Sequence, residues 1–182
     1  RPVDRNTLFQ VASLSKWITA WGVMTLVEAR RLDLDAPVSR YLTRWKLPPS
    51  EFDNEQVTLR RLLSHTAGLT DGLGYAGFGP GATIQNLEQS LTYAADASPG
   101  AAGAVRVGAE PGKDWMYSGG GYTLMQLIIE EASGEPFNTY MQRVVLQPLG
   151  MSRSTFELTE SDAKNVAEFF DTTGELATHF QF

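Results

Sequence analysis

Ser13 and Lys16 place a hydroxyl and an amine three residues apart at the head of an apolar segment. On a helix, residues at this spacing lie on the same face, so the two side chains can meet. A serine hydroxyl needs a neighbouring base before it can attack a carbonyl carbon. A lysine is almost fully protonated at neutral pH, but burial and a helix N-terminus both favour its neutral form. The pair therefore predicts nucleophilic catalysis with lysine as the base.

The tetrapeptide Ser-x-x-Lys is short and occurs often by chance, so a second interpretation stays open. A serine here is also typical of a helix N-cap, and Lys16 would then be a first-turn residue without a chemical role. The helix dipole disfavours a positive charge in the first turn, where an acidic residue is expected. The rest of the sequence must decide between the two interpretations.

Four motifs, the first of which contains Ser13 and Lys16, can be compared as a set, in residues 9–16, 62–69, 111–118 and 148–151. They are FQVASLSK, LLSHTAGL, PGKDWMYS and PLGM. In this order and at these separations they resemble the serine β-lactamase and penicillin-binding-protein-like hydrolases, in the branch that holds class C β-lactamases, family VIII carboxylesterases and D-aminopeptidases. The resemblance covers residues 7–155. It implies an α+β fold of the β-lactamase/transpeptidase type, of which this chain holds mostly the helical part with few strands.

The resemblance implies roles for three residues. Ser13 matches the acylated nucleophile, Lys16 its lysine partner, and Tyr117 the second-motif tyrosine that shares the role of base. Without the flanking motif, Tyr117 would be interpreted as an ordinary half-buried aromatic. The implied activity is a serine hydrolase that forms an acyl-enzyme with carboxylic esters or β-lactams. A D-amino-acid peptidase or carboxypeptidase of the same family, and a non-catalytic binding module that retains the fold, are the alternatives.

Gly119 departs from the pattern, because lactamase members of the family usually have an asparagine there that contacts the substrate amide. Glycine offers no side chain for that contact, which favours esters over amides. Residues 72–77 match Gly-x-Gly-x-x-Gly. They follow no predicted strand and run into Gly-Pro-Gly at residues 79–81 where a helix should begin, which excludes a dinucleotide site and leaves the segment 72–81 as a loop. A flexible loop is the favoured interpretation of this segment. In the alternative, a lid over the substrate, Tyr75 and Phe78 would contact the substrate together with Gly119.

A third family motif, Lys-Thr-Gly or a His/Trp-x-Gly equivalent, is not found in residues 155–182. In the family it lies on a strand that also supplies one backbone N–H of the oxyanion hole; the N–H of Ser13 would supply another. We therefore expect a single domain over residues 1–182 that is a fragment. The C-terminal part of the family fold would lie outside this chain, and the main sheet would be incomplete.

The composition is typical of a globular domain, with 42% hydrophobic and 20% charged residues. A net charge of −6 without a long Lys/Arg cluster argues against a nucleic-acid surface. The partner that the resemblance implies is a small-molecule ester or lactam. A zinc site is not predicted, because cysteine is absent and the two histidines lack the spacing of such a site. The chemistry that the resemblance implies needs no metal or organic cofactor. The uncharged run 17–27 is too short to span a bilayer. Oligomeric state and cell compartment stay open.

The elements that must position these residues are mostly helices. Hydrophobic periodicity and capping residues predict helices over residues 13–30, 38–42, 58–64, 84–95, 122–132, 137–145 and 161–170. Thr58 is a predicted N-cap, and Gly134 a predicted C-terminal stop. Short strands are predicted over residues 8–11, 154–158 and 176–180, with a loop over residues 97–108.

His65 and His179 could suggest a Ser-His-Asp triad with Ser13. A Gly-x-Ser-x-Gly nucleophile elbow is absent, and Ser13 already has a nearer amine, so we do not favour a triad. His65 is instead predicted to be a structural histidine that fixes the turn into Ala67 and Gly68.

Overall fold

The computed structural model describes residues 2–71, 75–79 and 82–176 of the chain. The described residues form α1 (Ser15–Glu28), α2 (Leu59–Leu63), α3 (Leu87–Thr92), α4 (Gly120–Ser133), α5 (Phe137–Met141) and α6 (Glu160–Ala163). Short 3₁₀ turns cover Ala12–Leu14, Val38–Tyr41 and Asn54–Gln56, and a π-helical turn, Gln142–Leu146, continues α5. The predicted helical character is confirmed.

Helix α4 is the centre of the core. Its side chains are buried on several sides, and they include Leu124, Met125, Leu127, Ile128 and Ile129, each with 0% of its surface exposed. The helices α1, α2, α3 and α5 all pack against it. A helix that is apolar around most of its circumference must lie inside a core, so α4 fixes where the other helices can dock.

Helix α1 is held at a fixed depth by a close contact with α5. A Cβ atom at Gly22 would lie only 2.4 Å from Met141 Sδ, and the Tyr140 hydroxyl donates a hydrogen bond to the Gly22 carbonyl at 3.1 Å. The opposite face of α1 carries half-exposed Trp17 and Trp21. Because Lys16 lies in the first turn of α1, this contact also sets the depth of the Lys16 amine.

Helix ends follow capping chemistry, and two predicted helices are shorter than expected. Thr58 caps α2 and Gly134 ends α4 at φ 75°, as predicted. The helix predicted over 84–95 begins only after Asn86, which forms a capping box with Gln89. The helix predicted over 161–170 is limited to α6, which Thr159 and Asp162 cap in the same way. Both boxes fix a helix start that apolar periodicity alone does not locate.

The predicted strands are not formed as strands among the described residues, where β structure is limited to isolated bridges. Leu8 pairs with Val166, and Phe170 pairs with Leu176, whereas 154–158 has irregular backbone. Residues 177–180 of the third predicted strand lie outside the described residues. A segment with one pairing site or none cannot form a ladder, which explains why the strands predicted over 8–11 and 154–158 do not form. The strand over 176–180 stays a prediction. The loop over 97–108 is confirmed as irregular.

The uncharged run 17–27 lies within α1, which packs on α4 and α5. In the described part of the chain, no helix has both the length and the apolar character needed to cross a bilayer.

Candidate active site

Ser13, Lys16 and Tyr117 meet in the structure. The Lys16 Nζ atom donates a hydrogen bond to Ser13 Oγ at 3.1 Å. The Tyr117 hydroxyl lies 2.8 Å from the same Ser13 Oγ atom, although the two residues are 104 positions apart. Ser13 lies in the 3₁₀ turn before α1, and Tyr117 lies just before α4, so the packing of α1 on α4 brings them together. One hydroxyl is thus held between an amine and a phenol.

The Lys16 side-chain nitrogen lies beside two aromatic rings. Its Nζ atom lies 5.1 Å from the ring centroid of Tyr117 and 5.5 Å from that of Tyr122. Burial raises the pKa of Tyr117, but hydrogen bonds with Lys16 and Ser13 and the charge of Lys16 outweigh it, so the pKa lies below its ordinary value. A phenol with a lowered pKa gives up its proton more easily, and it then serves as a base closer to neutral pH.

The residue before the serine is in an unusual conformation. Ala12 has φ 44°, in the left-handed region that a Cβ atom disfavours by roughly 1–2 kcal/mol. The Leu14 N–H donates to the Val11 carbonyl at 3.1 Å and closes the turn that contains it. The surrounding contacts must hold this conformation, and it presents the Ser13 side chain at the surface beside Tyr117.

His65 contacts residues 116–118, the segment that contains Tyr117. Its ring centroid lies 4.5 Å from that of Tyr117, its Nδ1 atom accepts a hydrogen bond from the Ser118 N–H at 3.2 Å, and its carbonyl accepts one from the Met116 N–H at 2.8 Å. His65 itself has φ 57°. The structural role predicted for His65 therefore extends from its own turn to the Tyr117 segment. His179 lies outside the described residues.

The acid sensitivity of the fold should depend on His65. Burial and the charge of Lys16 hold the pKa of His65 below its ordinary value, against an opposing contribution from Asp71. The unfolded chain then binds a proton near pH 6.5 that the folded chain binds only at lower pH, so stability falls as the pH drops below about 6.5. We expect the free energy of unfolding in urea to decrease from about pH 7.5 to about pH 5.5.

The matched variant for this measurement is His65→Asn, because asparagine does not titrate and tolerates the left-handed backbone at this position. Its stability should change less over the same pH interval than that of the wild-type chain. Equal pH dependence in the two proteins would contradict the assignment to His65.

Gly119 lies beside Tyr75. Gly119 has φ −70°, which any residue adopts, but a Cβ atom there would lie 2.4 Å from Cε2 and 2.6 Å from Cδ2 of the Tyr75 ring. The missing side chain therefore makes room for Tyr75. Phe78 is half-buried, and no hydrogen bond or ring contact joins it to Ser13, Lys16 or Tyr117 within the described ranges. Residues 72–74 and 80–81 of the predicted loop lie outside those ranges.

Two residues near Tyr117 had no role in the sequence-based predictions. Ser118 and Asp71 are both buried, with 3% and 2% of their surface exposed, and they are hydrogen-bonded to each other. The dipeptide Asp71-Gly72 is typical of a turn, and nothing in the sequence pairs it with a serine 47 positions away. Only the folded chain reveals this contact.

No group of three or more His, Cys, Asp or Glu side chains that could hold a metal ion occurs in residues 2–71, 75–79 and 82–176. The Ser13 hydroxyl contacts an amine and a phenol, groups that can move protons while a covalent bond forms through the serine oxygen.

Two curated proteins are similar in sequence. Penicillin-binding protein 4* of Bacillus subtilis is 35% identical over 158 residues, which are 85% of this chain and 32% of that protein. Esterase EstB of Burkholderia gladioli is 32% identical over 172 residues, 89% of this chain and 42% of that protein. The chain thus spans about a third to two fifths of the length of these relatives.

The fold is shared with solved structures. The octameric penicillin-binding protein homologue from Pyrococcus abyssi superposes with a TM-score of 0.71 at 31% identity, over 97% of this chain and 40% of that one. The β-lactamase/transpeptidase-like fold predicted from the motifs is therefore confirmed. The family model described as Beta-lactamase matches residues 1–179. The chain belongs to the β-lactamase family.

Proposed function

We propose that the protein is a serine hydrolase that forms an acyl-enzyme on Ser13, with carboxylic esters as its preferred substrates and β-lactams as a second class. The observation that carries the proposal is the pair of contacts on Ser13 Oγ, 3.1 Å to the Lys16 amine and 2.8 Å to the Tyr117 hydroxyl. A serine held by two groups that can exchange protons is poised to lose its own proton as it attacks.

The chemistry follows from these contacts. Ser13 Oγ attacks the carbonyl carbon of the ester while its proton moves to the Tyr117 oxygen or the Lys16 amine, whichever is unprotonated. The tetrahedral intermediate collapses, the bond to the leaving alkoxide breaks, and the same proton is returned to that alkoxide. Water then attacks the acyl-enzyme by the same relay, which releases the carboxylic acid and restores the Ser13 hydroxyl.

Substrate preference is proposed from the surroundings of Gly119. The backbone at Gly119 offers no amide-contacting side chain, and the Tyr75 ring fills the space such a side chain would need. Ester substrates do not need a contact to an amide. The similarity to Esterase EstB supports this preference, and the similarity to Penicillin-binding protein 4* is the reason to keep the lactam class as the second choice.

The proposal is tested on the full chain with a nitrophenyl ester and a serine-directed phosphonate. We expect ester hydrolysis that the phosphonate abolishes, with one phosphonyl group mapped to Ser13 by peptide mass spectrometry. A chain unfolded in urea should take up no label, because the hydroxyl then lacks both partners. A folded chain that neither hydrolyses the ester nor takes up the label would favour the non-catalytic binding module.

The role of the Tyr75 ring leads to a prediction on a pair of variants. Gly119→Asn alone should destabilise the fold by roughly 1–3 kcal/mol, because its Cβ atom overlaps the Tyr75 ring. In a Tyr75→Ala background the same substitution should cost less stability, because the ring that its Cβ atom would overlap is absent. The double variant should also raise the ratio of β-lactam to ester turnover up to about tenfold, if one new hydrogen bond of about 1 kcal/mol forms in the transition state.

Urea unfolding and steady-state kinetics on both substrates check these two expectations. The control is Tyr75→Ala alone, which opens the space without supplying an amide. A folded double variant whose lactam-to-ester ratio equals that of Tyr75→Ala would show that substrate preference is set elsewhere.

A further inference from the structure

Asp71 is a buried carboxylate that has no part in the chemistry proposed above. Only 2% of its surface is exposed. Its Oδ1 atom accepts a hydrogen bond from the Ser118 hydroxyl, and its Oδ2 atom accepts from the Gly120 N–H at 2.8 Å and from the Tyr75 hydroxyl at 3.0 Å. A buried carboxylate is costly unless its lone pairs are used, and here three donors from two segments use them.

These hydrogen bonds converge on the start of α4. The first N–H groups of a helix have no partner within the helix. The N-cap residue Gly119 has no side chain to supply one. Asp71 accepts from the Gly120 N–H, and the Ser118 hydroxyl accepts from the Gly121 N–H at 2.8 Å. Asp71 and Ser118 therefore share the capping of α4.

Ser118 is fixed through both its backbone and its side chain. Its N–H donates to His65 Nδ1 at 3.2 Å, its hydroxyl donates to Asp71, and the same hydroxyl accepts from Gly121. Ser118 directly follows Tyr117. A residue held at this many points leaves the preceding Cα atom little freedom, so the direction of the Tyr117 side chain is set by its neighbour.

We propose that Asp71 is a positioning residue for Tyr117, which it keeps within hydrogen-bond reach of Ser13 by fixing Ser118 and the start of α4. The inference rests on the proposed function, since it assigns a role in the reaction of that site. Asp71 acts through Ser118 in this assignment. The phenol must stay 2.8 Å from Ser13 Oγ for the proton to move.

The test variant is Asp71→Asn in the full chain. The amide keeps the size of the carboxylate and one acceptor oxygen, but its NH₂ group faces donors and cannot accept from them. We expect kcat for the nitrophenyl ester to fall by about 10- to 100-fold, with KM changed less than about threefold, because misplacing a reacting group affects the transition state more than substrate binding.

The pH profile separates positioning from mere stabilisation. Among the described residues, the titratable groups that face the Tyr117 ring are Lys16 from α1, His65 from the turn after α2, and Tyr122 from α4. If Asp71→Asn lets the phenol move away from Lys16 and Ser13, the rising limb of the kcat/KM profile should move to higher pH. A variant that only loses stability keeps the wild-type profile in its folded fraction.

Two other variants complete the design. Asp53→Asn makes the same chemical change at an exposed aspartate that caps a distant 3₁₀ turn, and it should leave kcat and the pH profile unchanged. Ser118→Ala removes the link between Asp71 and Tyr117 and should reproduce the kcat loss and the profile shift. In the double variant Asp71→Asn/Ser118→Ala the losses in kcat should be less than additive, because both substitutions break the same link between Asp71, Ser118 and Tyr117. Ser118→Ala also serves if Asp71→Asn does not fold.

The outcomes separate this inference from the proposed function. Suppose that the wild-type chain is labelled and active, and that folded Asp71→Asn keeps the wild-type kcat and pH profile. This result would overturn the inference and leave the proposed function standing. If Asp71→Asn does not fold, the same result in folded Ser118→Ala would do so. A wild-type chain that is neither labelled nor active would overturn both.

Discussion

Replacing Ser13 with alanine is expected to abolish acyl-enzyme formation and to lower ester turnover by at least about 10³-fold. The Ser13 Oγ atom would form the covalent bond. Among the described residues, no other hydroxyl is hydrogen-bonded to both the Lys16 amine and the Tyr117 hydroxyl. Intact-mass measurement after incubation with a nitrophenyl ester or a phosphonate checks the result. Because Ser13 is exposed, the substitution should change stability by less than about 1 kcal/mol.

Ser15→Ala is the matched control, because Ser15 lies in the same segment and no hydrogen bond joins its side chain to Tyr117 in the described structure. It should retain both labelling and turnover. An acyl adduct that still forms in Ser13→Ala would contradict the proposed role of Ser13. Loss of the adduct in Ser15→Ala but not in Ser13→Ala would contradict it as well.

Replacing Lys16 should cause the second largest loss. We expect Lys16→Ala to lower kcat/KM by about 10²- to 10⁴-fold, the usual range for a group that transfers protons. Lys16→Arg should be nearly as damaging, since arginine keeps its charge and cannot accept a proton near neutral pH. The planar guanidinium also cannot occupy the position of an ammonium that lies 3.1 Å from Ser13 Oγ and beside two aromatic rings.

Steady-state kinetics on the nitrophenyl ester compare the two variants. Lys113→Arg is the control for a general effect of arginine, because Lys113 is exposed and pairs only with Glu110 among the described residues. If Lys16→Arg retained most of the wild-type activity, only positive charge would be needed at this position, and proton transfer would fall to Tyr117.

The sequence was most informative where the site is local. Ser13 and Lys16 are three residues apart, and helix geometry alone places them together. Tyr117 could be assigned only through the resemblance, because no periodicity relates it to Ser13. The helices α1 and α4 were predicted with ends correct to within a few residues, since their apolar patterns are long and Gly134 marks one end clearly.

The contacts that support the site could not be predicted, because they depend on tertiary packing. The pairing of Asp71 with Ser118 and the acceptor role of His65 Nδ1 join segments that are distant in sequence. The left-handed backbone at Ala12 is also not apparent from the sequence, since alanine does not favour it. The strands predicted over 8–11 and 154–158 do not form, because a pairing partner, and not local propensity, decides whether a strand forms.

The separation between the two halves of the site has a consequence for the order of events during synthesis. Ser13 and Lys16 leave the ribosome almost together, whereas Tyr117 follows 104 residues after Ser13. At a synthesis rate of roughly 5–20 residues per second, about 5–20 s pass between them. During that interval the nascent serine lacks the phenol. Its nucleophilicity therefore develops only when the chain through α4 has been made and has docked.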